Sequence, residues 1–384
     1  MNPFFWYPPA ETRIRPSSFM VALLGKRNRF EKELCSYLGI ESCVLANSGR
    51  ASITLLLRAL KATAGTCYRD EVLIPAYTCY SVAASVVRSG LKIRVYDIKS
   101  DDLGPDIISV KREASKKTLA IVVQHLFGIP SLMEEMKEIA EGVHSTIIED
   151  AAQALGGILK GHYLGTIGDF GFFSFGRGKP LPLGYGGAFI ARNKEILHSI
   201  TLPEAEKGYE RLLTSLAIQF LSYKRFYGIM ETLPLGLGKT IFSPDFNISS
   251  MPQMIDRLGS NAIHELNQSN MHKRIISDIY SKILHDCGTV PIPDGAYPTY
   301  TRFPLMVGTG VIPNNLRKLG VRRMYPNALV NEPDIRQFFA DQTTITPGAA
   351  LVAERLITLP THSGISEDVA EEIACKVKDT FKCK

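Results

Sequence analysis

The chain has 384 residues, which is enough for about two domains at roughly 150 residues per domain. Its composition, 45% hydrophobic and 21% charged, is that of a globular protein and excludes a disordered, collagen-like or coiled-coil chain. A net charge of +6 without a basic run does not indicate nucleic-acid binding.

Neither a membrane span nor an export signal is predicted. The longest apolar runs, such as residues 119–123, are far shorter than the ~18–20 residues that cross a bilayer. The first 16 residues lack the charged-then-apolar layout of a signal peptide, so the expected location is cytoplasmic. The seven cysteines form no CxxC pair, and no metal site is predicted.

The first half of the chain predicts a large α/β domain. A proline-rich start gives way to an amphipathic segment at 19–39, which predicts one helix. Short apolar runs then alternate with helical stretches up to about residue 192, and this alternation predicts a parallel sheet covered on both faces. The expected strands are 43–48, 71–77, 92–98, 118–126, 146–150, 169–175 and 186–191.

The second half begins with two long amphipathic segments, 203–232 and 255–285, which predict helices. The first is expected to pack against the core or a second subunit, and the alternative is a helix lying on a membrane surface. Short strands and a closing helix follow in 286–384. We therefore expect a large domain over 1–250 and a smaller α+β domain over 251–384.

Two nucleotide-binding motifs are excluded. Residues 233–240 end like a P-loop, but Leu233 occupies the place of the first glycine and the segment follows a predicted helix instead of a strand. No GxGxxG follows the first strand, which removes the dinucleotide fingerprint.

Three separated segments indicate one kind of site. Ser48-Gly49-Arg50 follows a predicted strand and opens a helix, where backbone N–H groups favour an anion. Asp150 ends an apolar strand at the sheet edge where ligands bind, and there it needs a cationic partner such as a protonated pyridinium nitrogen. Lys179 follows a glycine-rich turn whose apolar surroundings suit its amine to Schiff-base formation, and Ser174 could donate to a phosphate.

The set of motifs resembles the DegT/DnrJ/EryC1/StrS sugar aminotransferases, which are fold type I pyridoxal-phosphate enzymes. The resemblance extends in order from about residue 20 to the end of the chain. It rests on the motifs SGRAS (48–52), QHLFGIP (124–130), IIEDAAQALGG (147–157), GTIGDFGFFSFGRGK (165–179) and ERLITLPTH (354–362). It implies a large domain with a mixed, mostly parallel seven-stranded sheet and a smaller C-terminal α+β domain.

The resemblance also implies roles for individual residues. Lys179 matches the lysine that binds pyridoxal 5'-phosphate and transfers the proton, and Asp150 matches the carboxylate that keeps the pyridine nitrogen protonated. Gln153 matches the side chain near the ring hydroxyl. Ser48, Ser174 and the backbone at Gly49 and Arg50 match the phosphate cradle.

Candidate substrate contacts follow from the same resemblance. His125 matches a histidine that is either structural or close to the substrate, and Tyr80 is a further candidate. Tyr325 is a candidate sugar or diphosphate contact with Arg322 or Arg323 as its charge partner, and the alternative is a solvated turn.

Three positions depart from the family pattern. Arg50 replaces the usual threonine, so a backbone contact survives but a hydroxyl contact does not. Cys79 takes the place of the aromatic that stacks on the ring, which leaves Tyr77 or Tyr80 as alternatives. The family asparagine that reaches the other subunit's phosphate is missing. Its contact is lost, shifted to Asn247, or taken over by Ser249 or Arg50.

The resemblance implies a homodimer with shared active sites that moves an amino group, with glutamate as the expected donor, to a keto-sugar. The sugar is expected to be nucleotide-linked and to serve surface polysaccharide or amino-sugar biosynthesis. A non-catalytic regulator of the same fold is the alternative from another class. A sugar dehydratase is the alternative among enzymes, and Lys179 argues against it because dehydrating relatives carry histidine there.

Overall fold

The computed structural model describes residues 6–25, 29–63, 68–192, 194–198, 200–232 and 241–382. The P-loop-like segment 233–240 lies outside these ranges. In the described part of the chain, no helix combines the length and apolar character needed to cross a membrane.

A seven-stranded sheet forms the centre of the fold, in the order β1-β9-β8-β5-β4-β2-β3. Its strands are β1 (Cys43–Ala46), β2 (Glu71–Pro75), β3 (Lys92–Tyr96), β4 (Thr118–Gln124), β5 (Thr146–Asp150), β8 (Phe170–Ser174) and β9 (Gly187–Ala191). Short strands elsewhere are β6 (Ile158–Leu159), β7 (His162–Tyr163), β10 (Ala296–Tyr297), β11 (Phe303–Met306) and β12 (Leu356–Leu359).

The seven predicted strands are all present, but β9 runs against its neighbours β1 and β8. Parallel neighbours require a long crossover, usually a helix. The connection between β8 and β9 is rich in Gly and Pro and holds no helix, so the chain returns antiparallel. The mixed, mostly parallel sheet implied by the resemblance is therefore confirmed.

Helices cover the sheet and build the rest of the chain. They are α1 (Pro16–Leu24), α2 (Phe30–Leu38), α3 (Gly49–Thr63), α4 (Tyr80–Arg88), α5 (Ile107–Glu113), α6 (Met133–Gly142), α7 (Lys194–His198), α8 (Tyr209–Leu221), α9 (Tyr227–Thr232), α10 (Gln253–Ala262), α11 (Leu266–Ile283), α12 (Asn314–Lys318), α13 (Pro333–Arg336), α14 (Pro347–Arg355) and α15 (Glu367–Phe381).

Three predicted helices are interrupted. The segment 19–39 forms two helices because the backbone is extended at Gly25, where α1 ends. The helix predicted over 203–232 begins only at Tyr209, after the left-handed Gly208, and it is broken at residues 222–226 between α8 and α9. The segment 255–285 is nearly continuous, with one 3-10 turn at 263–265 between α10 and α11. The closing helix α15 is present where expected and packs on α11.

The C-terminal part pairs β11 with β12 in a two-stranded antiparallel sheet. The helix α10, just beyond residue 250, packs against α1 and α2. The division of the chain at residue 250 stays a prediction.

Candidate active site

A cavity of about 150 Å³ opens at the carboxyl edge of the central sheet. Parallel strands end there together, so residues far apart in sequence meet. The lining includes Ser48, Gly49, Arg50, Cys79, Ser81, Asp150, Gln153, Ser174, Lys179 and Tyr325. The structure thus brings all three segments singled out in the sequence to one place.

Asp150 is buried at the end of β5, where it accepts a hydrogen bond from the backbone N–H of Ala152 (3.1 Å). Burial raises the pKa of the Asp150 carboxyl, and the ammonium of Lys179 opposes that rise. A carboxylate in such a place is stabilised by a cation held against it. Its surroundings suit a protonated ring nitrogen.

Glu149 lies on the other face of β5 and fixes the strand end behind the cavity. Ser131 N–H donates to His125 Nδ1 (3.1 Å), so the other ring nitrogen, Nε2, carries the proton and donates to Glu149 (2.8 Å). The same carboxylate accepts three backbone N–H groups, from Gly165, Ile167 and Gly168. His125 is fully buried in this network and does not line the cavity. Of the two roles expected for this residue, its contacts fit the structural one.

The helix α3 begins at Gly49 and faces the end of β8. Ser48 Oγ accepts from Ala51 N–H (3.1 Å), which satisfies one donor of the first helical turn. A Cβ at position 49 would lie 2.8 Å from Ser174 Cβ, so only glycine allows this approach. The helix start and the Ser174 hydroxyl form a concave, N–H-rich cradle of the kind that holds a phosphate.

Lys179 follows Gly178, whose left-handed backbone (φ 71°) turns the chain back toward the cavity. Its side chain is half-buried and lines the cavity. Within the described part of the chain its ammonium makes no hydrogen bond or ion pair, so the amine is available to a bound molecule.

Gln153 joins the cavity to the C-terminal part of the chain. Its amide donates to Tyr325 Oη (3.2 Å), and its amide oxygen accepts from Thr301 Oγ1 (3.0 Å). Tyr325 is buried and packs edge-to-face on Tyr77, with ring centroids 5.2 Å apart. Tyr325 is thus a cavity residue and not a solvated turn.

Several predicted residues lie outside the cavity lining. Tyr77 is buried behind Tyr325 and accepts its N–H, and Tyr80 donates to Glu332 (2.5 Å). Cys79, by contrast, lines the cavity at the start of α4. The ring-stacking role of Tyr77 or Tyr80 stays a prediction.

Asn247 and Arg322 also lie outside the lining. Asn247 is exposed, and its carbonyl accepts from Asn47 Nδ2 (3.1 Å). Arg322 is paired with Glu231 (3.0 Å). Arg50 lines the cavity with its guanidinium 4.9 Å from the ring centroid of Phe246, in the segment that leads to Asn247.

Sequence reasoning missed Ser81, Thr301 and Glu149. Ser81 stands in the first turn of a helix that follows a strand, which is a detectable signal. Glu149 could have been suspected as an acidic residue inside an apolar strand. No sequence signal marks Thr301, because its contact with Gln153 joins residues 148 positions apart.

The residues present fit pyridoxal phosphate. They supply a buried carboxylate for a ring nitrogen, an N–H-rich cradle with a serine hydroxyl for a phosphate, and a lysine amine without a partner in the described ranges.

Comparison with known proteins also indicates an aminotransferase. The DegT/DnrJ/EryC1/StrS aminotransferase family profile matches residues 15–378. The L-glutamine:2-deoxy-scyllo-inosose aminotransferase of Streptomyces kanamyceticus is 38% identical over 162 residues, which is 42% of this chain and 37% of that protein. The chain thus spans less than half the length of that curated relative.

Two longer matches extend over most of the chain. The dTDP-4-amino-4,6-dideoxy-D-glucose transaminase of Escherichia coli is 25% identical over 356 residues, covering 89% of this chain and 86% of that protein. A Streptococcus pneumoniae protein solved in its PLP form has a TM-score of 0.78 at 20% identity, covering 98% of this chain and 99% of its own, which shows the fold. The chain belongs to the DegT/DnrJ/EryC1/StrS aminotransferase family.

Proposed function

We propose that this protein is a pyridoxal-phosphate-dependent transaminase that moves an amino group from an amino acid to a keto-sugar. The observation that carries the proposal is the meeting of Lys179, Asp150 and the Ser48–Ser174 cradle in one cavity. When bound there, pyridoxal phosphate would supply an electron sink for breaking the C–H bond of the amino donor.

The chain's own residues would hold the cofactor and move protons. Asp150 would keep a ring nitrogen protonated, and Gln153, held by Tyr325 and Thr301, would orient the ring hydroxyl. Lys179 Nζ would take the proton from the donor carbon and return it to the cofactor carbon, as a general base and then a general acid. The loop that carries Lys179 places its amine beside the buried carboxylate.

We further propose that the donor is glutamate or glutamine and that the acceptor is a nucleotide-linked keto-sugar. Glutamate is the donor implied by the family resemblance, and the relative from Streptomyces kanamyceticus is named for glutamine. The Escherichia coli relative is named for a nucleotide-linked amino sugar. The product would serve surface polysaccharide or amino-sugar biosynthesis.

A homodimer in the cytoplasm belongs to this proposal. It is supported by the family resemblance and by an apolar stripe on the outer side of α8 and the turn after it. We define this α8 stripe as Tyr209, Leu213, Leu216, Phe220 and Tyr223, all of which are exposed. The polar residues Ser215 and Gln219 face inward instead, so the helix presents its apolar side to a partner.

The test is an absorbance titration of the cofactor-loaded protein with L-glutamate and, separately, L-glutamine. We expect the visible band of the bound cofactor to fall and the near-ultraviolet band of its amine form to rise. Lys179→Ala should lose this conversion, because no amine remains to transfer the proton. Lys376→Ala removes a partly exposed lysine of α15 paired with Glu372 and should behave like the wild type.

The alternatives predict different spectra. A regulator would bind cofactor without converting it with either donor, and conversion by Lys179→Ala at the wild-type rate would contradict the role of this lysine. A dehydratase would consume the keto-sugar without transferring the amino group to it, which analysis of the sugar product detects.

A further inference from the structure

Arg302 and Arg322 lie on the two sides of β12, in the C-terminal part of the chain. Arg302 comes directly before β11, which pairs with β12. Its guanidinium donates to Thr358 Oγ1 (3.4 Å), and that hydroxyl donates to the carbonyl of Arg322 (2.9 Å). The backbones of Arg322 and Thr358 also exchange hydrogen bonds of 3.1 and 2.7 Å. Thr358 therefore fixes the two arginines relative to each other.

A third arginine joins them from the lysine loop. Arg322 pairs with Glu231 (3.0 Å), and Tyr227 Oη donates to the same carboxylate (2.9 Å). The guanidinium carbon of Arg177 lies 5.8 Å from the centroid of the Tyr227 ring. Since Arg177 precedes Lys179 by two residues, this cluster adjoins the loop that carries the reactive amine.

The cluster holds more positive than negative charge. Glu231 pairs with Arg322, and Glu11 lies 3.6 Å from Arg177. Burial raises the pKa of Glu11 to about 7, so this carboxyl neutralises Arg177 only partly near neutral pH. Arg302 forms no salt bridge in the ranges that the structure describes. Burial, with the charges of Arg322 and Arg177 adding to it, lowers the pKa of Arg302 to about 10.

Arg302 is linked to the cofactor cavity through its chain neighbour. Its chain neighbour Thr301 donates to Gln153, which lines that cavity, and Tyr325 contributes to the electrostatic surroundings of Arg302. Through Thr301 and Gln153, Arg302 is therefore connected to the cavity on the side where Gln153 bonds Tyr325. A half-buried cation without a carboxylate is costly unless something negative binds to it.

We propose that Arg302, together with Arg177 and Arg322, forms an anion-binding subsite for the substrates of this enzyme. The planar guanidinium matches a carboxylate or a phosphate in two parallel hydrogen bonds. The anion is either a carboxylate of the amino donor or a phosphate of the sugar substrate. This assignment of the anion rests on the proposed function, whereas anion binding itself does not.

The test is isothermal titration of the cofactor-loaded protein with inorganic pyrophosphate and, separately, with glutarate. The variants are Arg302→Met, which removes the charge, and Arg302→Lys, which keeps the charge but loses the planar fork. Arg336→Gln is the matched control, because Arg336 is an exposed arginine that bonds only a backbone carbonyl, that of Gln342. The melting temperature without probe is the second measurement.

We expect Arg302→Met to bind the preferred probe about tenfold to a hundredfold more weakly, and Arg302→Lys to fall between it and the wild type. The melting temperature of Arg302→Met should rise, because an unpaired, half-buried charge is replaced by an apolar side chain. If Arg302 served only to stabilise the fold, its replacement by Met would lower the melting temperature instead. Arg336→Gln should change neither quantity.

The two probes separate the sources of the anion. Preference for pyrophosphate identifies a phosphate of the sugar substrate, and preference for glutarate identifies the donor carboxylate. If Arg302→Met binds both probes more weakly by the same factor, that result also supports the subsite. The proposal is overturned if the wild type binds neither probe, or if Arg302→Met binds as tightly as the wild type. No amino transfer occurs in this titration, so its outcome is independent of the transaminase test.

Discussion

At the scale of single residues, the site depends on a charge balance between Asp150 and its surroundings. The carboxylate is buried, it accepts one backbone N–H, and the charge of the Lys179 ammonium favours its ionised form without a direct contact. A buried carboxylate of this kind is stabilised when a ring cation binds beside it. In the proposed function, Asp150 would therefore contribute both to cofactor binding and to the reactivity of the bound ring.

Asp150→Asn tests that role. The amide keeps the shape and the bond to Ala152, but it cannot hold a ring nitrogen in its protonated form. We expect the rate of the amino-donor half-reaction to fall by about a hundredfold or more, with cofactor still bound. Stopped-flow absorbance measures the rate. Asp169→Asn is the control. The Asp169 carboxylate accepts the backbone N–H of Ile147 near the start of β5, whereas Asp150 lies at the end of that strand. Equal losses in both variants would contradict a specific role for Asp150.

At the scale of secondary-structure elements, side chains from the sheet hold distant parts of the chain. Asp97 follows β3, and its carboxylate accepts the N–H groups of Gly348 (2.9 Å) and Ala349 (2.7 Å) at the start of α14. These are N–H groups that a helix start leaves unpaired, so Asp97 caps a helix whose first turn lies 251 and 252 positions away in sequence. The helix dipole adds to the attraction.

Asp97→Asn should lower the free energy of unfolding by about 1–2 kcal/mol. The amide loses the charge and turns an N–H group toward a backbone N–H group. Urea unfolding followed by circular dichroism measures the change. Asp334→Asn replaces an exposed aspartate in the first turn of α13 and should unfold like the wild type. Unchanged stability of Asp97→Asn would show that this cap contributes nothing.

At the scale of the whole molecule, the α8 stripe is the surface on which we expect a second subunit to pack. Leu213 and Phe220 are 65% and 55% exposed, although both are apolar. The inner side of α8 is held by Ser215, which donates to the carbonyl of Leu183 in the loop after Lys179. A second subunit on this stripe would therefore pack against the outer side of α8, whose inner side contacts the loop after Lys179.

We expect light scattering to give twice the chain mass for the wild type and the chain mass for the double variant Leu213→Asp with Phe220→Asp. The charges would have to be buried without partners in the dimer. Ile108→Asp places a charge at another exposed apolar position and should remain dimeric. A wild-type protein that is monomeric in light scattering would contradict the dimer proposal. If that monomer co-sediments with lipid vesicles, the membrane-surface alternative for this helix takes its place.

The strands of the sheet, the closing helix and the placement of Asp150 and Ser174 at strand ends could be predicted from the sequence, and the family resemblance added Lys179 to the same site. These follow from local patterns: apolar runs make strands, and parallel strands end together. The antiparallel direction of β9, the position of Tyr77 behind Tyr325 and the bond between Thr301 and Gln153 became visible only in the folded chain. The contacts of Tyr77 with Tyr325 and of Thr301 with Gln153 join residues 248 and 148 positions apart, and no local pattern carries that information.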